Sequence, residues 1–291
     1  MKYILAQDKS MYSSWQIETA VRSLIDLNVQ QSDIFVLLGS YGYSRHYKTL
    51  FTTYRKVNFI EYRNHSMKNY KPSIKPYLLW KFFEQYTHLV REQWMLIDCD
   101  VILTKLPKNF NANSVHVSNC SSYMNIDYIN ECGYTSKEFA SYLNIGEAVI
   151  KGVDKNIGGA QYVFSNVKAE VWQWAYENLA LFMHNIRTNP KKIDRESPFQ
   201  IWCSEMFLVA YSLELHGHKL KHSKKLDFSW STDLVRDIKP IIHNAGVTGK
   251  EETELFNKGN YFTKLPEEGL ELDANYVSSV YYENVIKRNK W

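Results

Sequence analysis

The feature that most constrains this chain is a repeated alternation in its first hundred residues. Short apolar runs at 3–7, 33–38, 57–62 and 94–98 are interleaved with stretches of helical periodicity at 14–28 and 73–87. Strands that are apolar on consecutive residues need cover on both faces, and alternating helices supply it. The expected fold class is therefore α/β, Rossmann-like, with a mixed, mostly parallel central sheet flanked by helices. Further strands are expected around 114–118, 160–165 and 239–242, with helices at Ala169–His184, at Ser204–Leu215 and from about Ser278. Residues 119–155, rich in Ser, Asn, Tyr and Gly, read as long loops with short helices, and loops of that length in a compact domain are often functional.

A chain of 291 residues can bury a large single core, and no repeat, low-complexity tract or Gly/Ser linker marks a boundary within it. One domain is expected. No apolar run approaches the ~20 residues of a membrane helix. The opening Met1–Ala6 meets Gln7-Asp8-Lys9 at once, too short for the apolar region of a signal peptide, so a cytoplasmic protein is expected. The four cysteines, at 99, 120, 132 and 203, form no CxxC pair, which fits reduced structural thiols. The net charge of +4 is mild, and the clusters Lys219–Lys225 and Lys287–Lys290 read as solvated surface rather than as a nucleic-acid footprint.

Two motifs carry chemistry. In "WMLIDCDVILTKLP" the aspartates Asp98 and Asp100 stand at the end of an apolar run that resumes at Val101, so a turn is expected at Cys99-Asp100. Such a turn lets both carboxylates reach one hard cation of the Mg²⁺ or Mn²⁺ kind, completed by substrate phosphates and waters. The plain alternative is a strand end whose acids are satisfied by turn backbone. Downstream, "KPIIHNAGVTGK" brings an apolar strand, then His243, Gly246 and Lys250. A neutral imidazole can be a third metal ligand, the glycines let backbone approach a diphosphate, and the lysine brings charge to it. Read alone, the segment is a strand leaving through a Gly-rich turn.

Together these motifs resemble a metal-dependent nucleotide-sugar glycosyltransferase of the GT-A fold, closest to its family 8 type. The resemblance covers residues 1–250 in order and implies a nucleotide-sugar-binding and catalytic domain there, with 251–291 as a C-terminal extension packed on the same domain. In "LAQDKSMY" it implies that Asp8 receives the base N–H, with Ser10 beside it, and that Tyr12 stacks on the base. The metal ligands would be Asp98, Asp100 and His243, with Gly246 and Lys250 at the diphosphate. The family's lysine falls six residues after the histidine, here Gly249, whereas Lys250 is seven after. In "NIGGAQYVFSN" the resemblance implies that Gly158 and Gly159 admit the donor sugar and that Ala160 or Gln161 bonds its hydroxyls; otherwise the segment is a turn and an edge strand. Lys75 would touch the diphosphate. Glu205, in "WCSEMFLVAY", would face the reacting carbon and the acceptor. The plain reading of that stretch is a helix start capped by Ser204.

The implied activity is transfer of a sugar from a UDP-sugar, with Mn²⁺ or Mg²⁺, to an acceptor hydroxyl on a glycan, a protein or a hydroxymethylated DNA base. If transfer inverts the anomeric centre, Glu205 is the expected base, with Asp127 and Asp154 as rivals; if it retains configuration, the departing phosphate takes the proton and Glu205 steadies the sugar. Two other classes compete. A haloacid-dehalogenase-like phosphatase would use Asp98 as nucleophile and Asp100 as acid, but its aspartates belong on the first strand. A non-catalytic binder of nucleic acid or glycan would need the 21 Tyr and 8 Trp exposed as stacking platforms.

Overall fold

The structure, a computed structural model, describes residues 1–42, 44–191, 199–249 and 254–287. In chain order the elements begin with β1 (Lys2–Asp8), α1 (Met11–Asp26), β2 (Ile34–Ser40), α2 (Arg45–Thr53), β3 (Asn58–Arg63), α3 (Ile74–Gln85), β4 (Trp94–Leu96) and β5 (Val101–Leu103). There follow β6 (Val115–Asn119), α4 (Ile126–Glu131), α5 (Ser136–Leu143), α6 (Glu147–Val153), β7 (Gly158–Phe164) and α7 (Ala169–Thr188). The chain continues through α8 (Ser204–Leu215), β8 (Leu220–His222), β9 (Phe228–Trp230), β10 (Ile241–His243) and α9 (Val277–Ile286).

The strands form a seven-stranded sheet in the order β3-β2-β1-β4-β7-β6-β8 and a three-stranded sheet in the order β5-β10-β9. The large sheet is mixed and mostly parallel: β1, β2 and β3 run parallel, β6 runs parallel to β8, and β7 is antiparallel to β6. Its inner strands β2 and β7 are buried along nearly their whole length and β1 over residues 3–6, the burial expected of strands covered on both faces. The α/β expectation therefore holds. Among the described residues no helix is long and apolar enough to cross a membrane. All four cysteines are buried.

The chain divides into two compact units. An N-terminal unit comprises residues 2–63, 96–109 and 227–291, and a central unit comprises residue 1, 64–95 and 110–226. In the N-terminal unit, α1 begins at Met11 because Ser10 accepts from the Ser13 N–H while the Ser13 hydroxyl accepts in return, a capping box that starts the helix three residues before the apolar pattern does. One core of this unit joins Trp15 of α1, Ile102 of β5 and Ile242 of β10 to Phe256, Tyr261, Val277, Tyr281, Tyr282 and Val285. The C-terminal stretch is thus built into the unit. Its backbone is stitched in by Val277 N to Asp233 O at 2.9 Å and by Phe256 N to Ser278 Oγ at 2.5 Å.

In the central unit, Phe83 meets Trp94 at 5.7 Å and Phe164 at 5.9 Å between ring centroids, and Trp172 closes the cluster. A second cluster sets Phe139 against Phe182, Phe199 and Phe207. Edge-to-face contacts of this kind add about 0.5–1.5 kcal/mol each beyond area burial. Residues 119–155 carry three short helices, as expected. The strand placed at 94–98 ends at Leu96, and the one at 239–242 begins after Pro240, which has no N–H to give a ladder. The helix α2 and the three-residue strands β5, β8 and β9 were not expected.

Candidate active site

The site in the N-terminal unit is built at the break between β4 and β5. Ile97 N donates to Ile4 O at 3.1 Å, holding the chain beside β1 up to the first aspartate, and a turn then falls at Cys99-Asp100. Cys99, between the acids, points away from them: its sulfur lies 3.2 Å from Gln7 Nε2 and 3.7 Å from Gln16 Oε1. Burial pushes its thiol well above the usual range, so it remains a neutral anchor. With Cys99 turned to α1, Asp98 and Asp100 share the other side.

The third member arrives through β10, which runs antiparallel to β5 with His243 opposite Val101. Asn244 N donates to Asp100 O at 2.8 Å, which locks the register at that point. Phe228 at 5.2 Å and Trp230, stacked at 5.8 Å and 11°, wall the imidazole. Its Nε2 comes 3.3 Å from Asp100 Oδ1 and 3.9 Å from Asp98 Oδ2, while its Nδ1 is buried without a hydrogen-bond partner among the described residues. The three side chains offer ligand atoms that all lie within 4.8 Å of one another. Neighbouring ligands of a six-coordinate ion with bonds of ~2.1 Å stand ~3 Å apart, so two carboxylates and an imidazole at these separations fit a Mg²⁺- or Mn²⁺-sized cation after small adjustments.

One group at this site was not foreseen. The Lys258 ammonium contacts Asp100 Oδ2, with Asp100 about 11% and Lys258 about 25% exposed at the side chain. Burial works against the Asp100 charge, but Lys258 and His243 outweigh it and hold the carboxyl well below the usual carboxylate range. For Lys258, burial is likewise outweighed, by Asp100 first, and its ammonium is held above the ordinary lysine range. Lys250, the lysine expected here, lies outside the described residues. Gly246 does turn the loop with φ +95°, a conformation open to glycine and strained for other residues.

Asp8, Ser10 and Tyr12 follow one another at the carboxyl end of β1 and the start of α1. The Ser10 hydroxyl donates to Asp8 Oδ1 at 3.2 Å and caps the helix, so Ser10 has a structural task beside any ligand contact. Tyr12 carries Phe262 stacked at 4.4 Å and 28° and Trp15 edge-on at 6.2 Å. Burial pushes the Tyr12 phenol up to about 12, so it is neutral at any ordinary pH.

In the central unit a second polar cluster forms around Glu205, which is 5% exposed. Tyr70 OH lies 2.5 Å from Glu205 Oε2 and 2.7 Å from Trp202 O, and it accepts from Glu205 N at 3.1 Å. Lys75 Nζ lies 3.2 Å from Glu205 Oε1, so the lysine expected at the diphosphate is here the ion-pair partner of the expected base. Ser204 does not cap α8: Cys203 is the N-cap residue, its thiol donating back to Gln200 O at 2.8 Å rather than capping the helix, and the Ser204 hydroxyl donates back to Ile201 O at 2.6 Å. Beside this turn Trp202 is half exposed, its ring 5.8 Å from that of Tyr123.

The segment 158–161 runs along β7. A side chain on Gly158 would meet Ser118 O at 2.0 Å, and one on Gly159 would meet Met206 Cε at 2.4 Å. The room beside these glycines is thus filled by the chain's own atoms, a packing role that the sequence reading did not give them. Ala160 adopts φ +59°, and Gln161 is fully buried with neither carboxamide atom hydrogen-bonded among the described residues. A strained alanine followed by an unsatisfied buried amide costs stability and is commonest where a ligand completes the site. Of the rival acids, Asp127 is exposed in the first turn of α4, and Asp154 Oδ1 accepts from Ile126 N at 2.7 Å, fixing the start of that helix.

The architecture is shared with solved glycosyltransferases. The apo structure of the bifunctional glycosyltransferase WbbM matches with a TM-score of 0.51 at 12% identity, covering 99% of this chain and 50% of WbbM. The glycosyltransferase GlyE of Streptococcus pneumoniae TIGR4 gives 0.46 at 11% identity over 98% of this chain and 60% of GlyE. Mouse xyloside xylosyltransferase 1 in its apo form gives 0.40 at 9% over 84% and 96%. This chain spans half the length of WbbM and 60% of that of GlyE. At such an identity the likeness to WbbM shows the fold alone, the GT-A type of α/β architecture. No protein-family model matches the sequence, and no curated protein matches it.

Proposed function

We propose that this chain is a metal-dependent glycosyltransferase that moves a sugar from a UDP-sugar donor to an acceptor hydroxyl. The observation that carries the reading is the Asp98, Asp100 and His243 cluster at a strand end of a fold shared with WbbM. As an anomeric bond breaks, charge builds on the departing diphosphate and must be neutralised. Asp98, Asp100 and His243 would hold a divalent ion, Mn²⁺ or Mg²⁺, that supplies this neutralisation when bound.

The chain's own residues then bind and orient. Asp8, Ser10 and Tyr12 take the nucleoside end, and Gly246 with Lys250 takes the diphosphate. Ala160 and Gln161 face the donor sugar, a role supported by the unpartnered Gln161 carboxamide, which sugar hydroxyls would satisfy. Glu205 acts at the reacting centre, as acceptor base or as a carboxylate that steadies the sugar. Tyr70 and Lys75 position it. Asp127 and Asp154 are weaker candidates, the second because its carboxylate is engaged by a helix start. Trp202, three residues before Glu205, is half exposed, and its aromatic surface would suit an acceptor that is itself a ring, a sugar or a modified base, before a protein hydroxyl.

The phosphatase reading fits less well. It needs Asp100 to carry a proton, and Lys258 and His243 hold that carboxyl ionised. A non-catalytic stacking surface is also disfavoured, because Trp15, Trp94 and Trp172 are buried in cores.

The test is a screen of nucleotide-sugars for thermal stabilisation with and without Mn²⁺. A ligand bound by the folded state alone raises the midpoint by mass action. A UDP-sugar is expected to stabilise only when Mn²⁺ is present. Glu205→Gln should keep that stabilisation and lose transfer by about 100-fold or more, the usual worth of a positioned proton-transfer group. Absence of Mn²⁺-dependent stabilisation by every nucleotide-sugar would overturn the reading.

A further inference from the structure

Residues beyond 250 match no motif, yet two of their side chains stand on residues of the donor site. Lys258 contacts Asp100 Oδ2, and Phe262, four residues on and 60% exposed, lies flat on Tyr12. The turn carrying both is held from beneath. Phe256 and Tyr261 are buried in the core with Trp15 and Ile242, and Asn257 Oδ1 accepts from Gly259 N at 2.8 Å. A well-anchored turn that leaves a large aromatic ring half in water has failed to bury it where burial was available. Among the described residues it stacks on the tyrosine that the nucleoside reading assigns to the base.

The cation side is equally specific. Both Asp100 oxygens are engaged, Oδ1 by His243 at 3.3 Å and Oδ2 by Lys258. A divalent ion bound through Asp100 would stand within a few ångströms of the ammonium, and two cations that close repel strongly at a partly buried site. Metal entry therefore has to move Lys258 off the carboxylate. A lysine is suited to this, being a compact charge on a flexible four-carbon stem, and its anchored backbone keeps it near the site after release.

We propose that the turn 258–262 is a working wall of the donor site, with Lys258 as an exchangeable cation that neutralises Asp100 until a divalent ion takes it and then serves the donor diphosphate, and with Phe262 and Tyr12 as the aromatic pair that holds the nucleobase. This rests on the nucleotide-sugar reading above. It adds Lys258 to the diphosphate contacts expected of Gly246 and Lys250, and it gives the C-terminal stretch a part in donor binding.

The test is calorimetry on the full chain with Mn²⁺ alone and with UDP in saturating Mn²⁺, for the wild type and for Lys258→Met, Lys258→Arg and Phe262→Ala. Removing the competing cation should tighten Mn²⁺ by about tenfold in Lys258→Met, while UDP weakens by about tenfold, opposite signs that a merely structural lysine would not produce. Lys258→Arg, whose guanidinium grips a carboxylate bidentately, should bind Mn²⁺ more weakly than the wild type. Its comparison with the wild type decides the exchange even if Lys258→Met fails to fold. Phe262→Ala removes an exposed ring, so it should fold, bind Mn²⁺ as the wild type does and lose about fivefold or more in UDP affinity. Equal Mn²⁺ affinity across the position-258 series, or unchanged UDP affinity in Phe262→Ala, would overturn this inference and leave the donor reading standing. A wild type that takes neither Mn²⁺ nor UDP would overturn the donor reading and this inference with it.

Discussion

The Tyr70 hydroxyl lies 2.5 Å from Glu205 Oε2, joining residues 135 apart in the chain. The same hydroxyl also reaches Trp202 O at 2.7 Å and accepts from Glu205 N at 3.1 Å, so one phenol fixes both the start of α8 and the direction of its first acid. Burial, then the neighbouring Glu205, drives that phenol well above its ordinary value and keeps it protonated.

Tyr70→Phe should therefore destabilise more than loss of an exposed hydroxyl would. It removes the one O–H that the Glu205 carboxylate and the Trp202 carbonyl share, and the oxygen that accepts from Glu205 N, in a buried setting, a cost of about 1–3 kcal/mol. The midpoint should fall by several degrees in thermal unfolding. A variant as stable as the wild type would mean that water replaces the phenol.

For the metal cluster, Asp98→Ala, Asp100→Ala and His243→Ala should each abolish Mn²⁺-dependent UDP binding, read by calorimetry. Their stabilities should differ. Asp100→Ala also strips Lys258 of its partner, and an uncompensated, partly buried ammonium costs about 2–4 kcal/mol. His243→Ala leaves the Lys258 pair intact and loses mainly ring contacts with Phe228 and Trp230. Equal midpoints for the Asp100 and His243 variants would show that the ion pair contributes nothing to stability.

The two glycines of β7 should separate cleanly. In Gly158→Ala the new methyl meets the backbone carbonyl of Ser118, which cannot yield without shifting β6, whereas in Gly159→Ala it meets the flexible end of Met206. Overpacking costs about 1–3 kcal/mol where neighbours can move and more where they cannot. Gly158→Ala should be the less stable in denaturant titration, and the reverse order would contradict the packing.

Alkaline titration tests the buried phenols. Burial raises Tyr47, Tyr211 and Tyr281 well above 10, whereas in the unfolded chain they ionise near 10. The folded state thus holds these protons after the unfolded state has released them. Their contribution is fully present below pH ~10 and is lost as pH rises through the folded values, at about 1.4 kcal/mol per pH unit for each group. Absorbance of ionised tyrosine should rise in two stages, exposed residues first and these three only with unfolding. Their titration in the native state would refute the burial.

Much of the frame was legible because it is written in local periods. Short apolar runs placed β1, β2 and β3 and the helix period of 3.6 placed α3, α7 and α8, each within a few residues, and Ser204–Leu215 is the span of α8 as observed. The helix α2 was legible in retrospect, since Tyr47, Leu50 and Tyr54 are buried at helical spacing. The strands β5, β8 and β9 were not, because three residues hold too short a pattern to stand out.

The sequence by itself determined where the chemistry would gather: two acids at a strand end and a histidine at the end of a later apolar run. It could not determine what else would reach them. Lys258 on Asp100 spans 158 residues, and Tyr70 and Lys75 on Glu205 span 135 and 130. Such pairs leave no periodic trace, because they depend on where the whole chain returns after its cores have packed. That return path, built on Trp15, Ile242, Phe256 and Tyr281, makes a lysine without a motif the neighbour of Asp100.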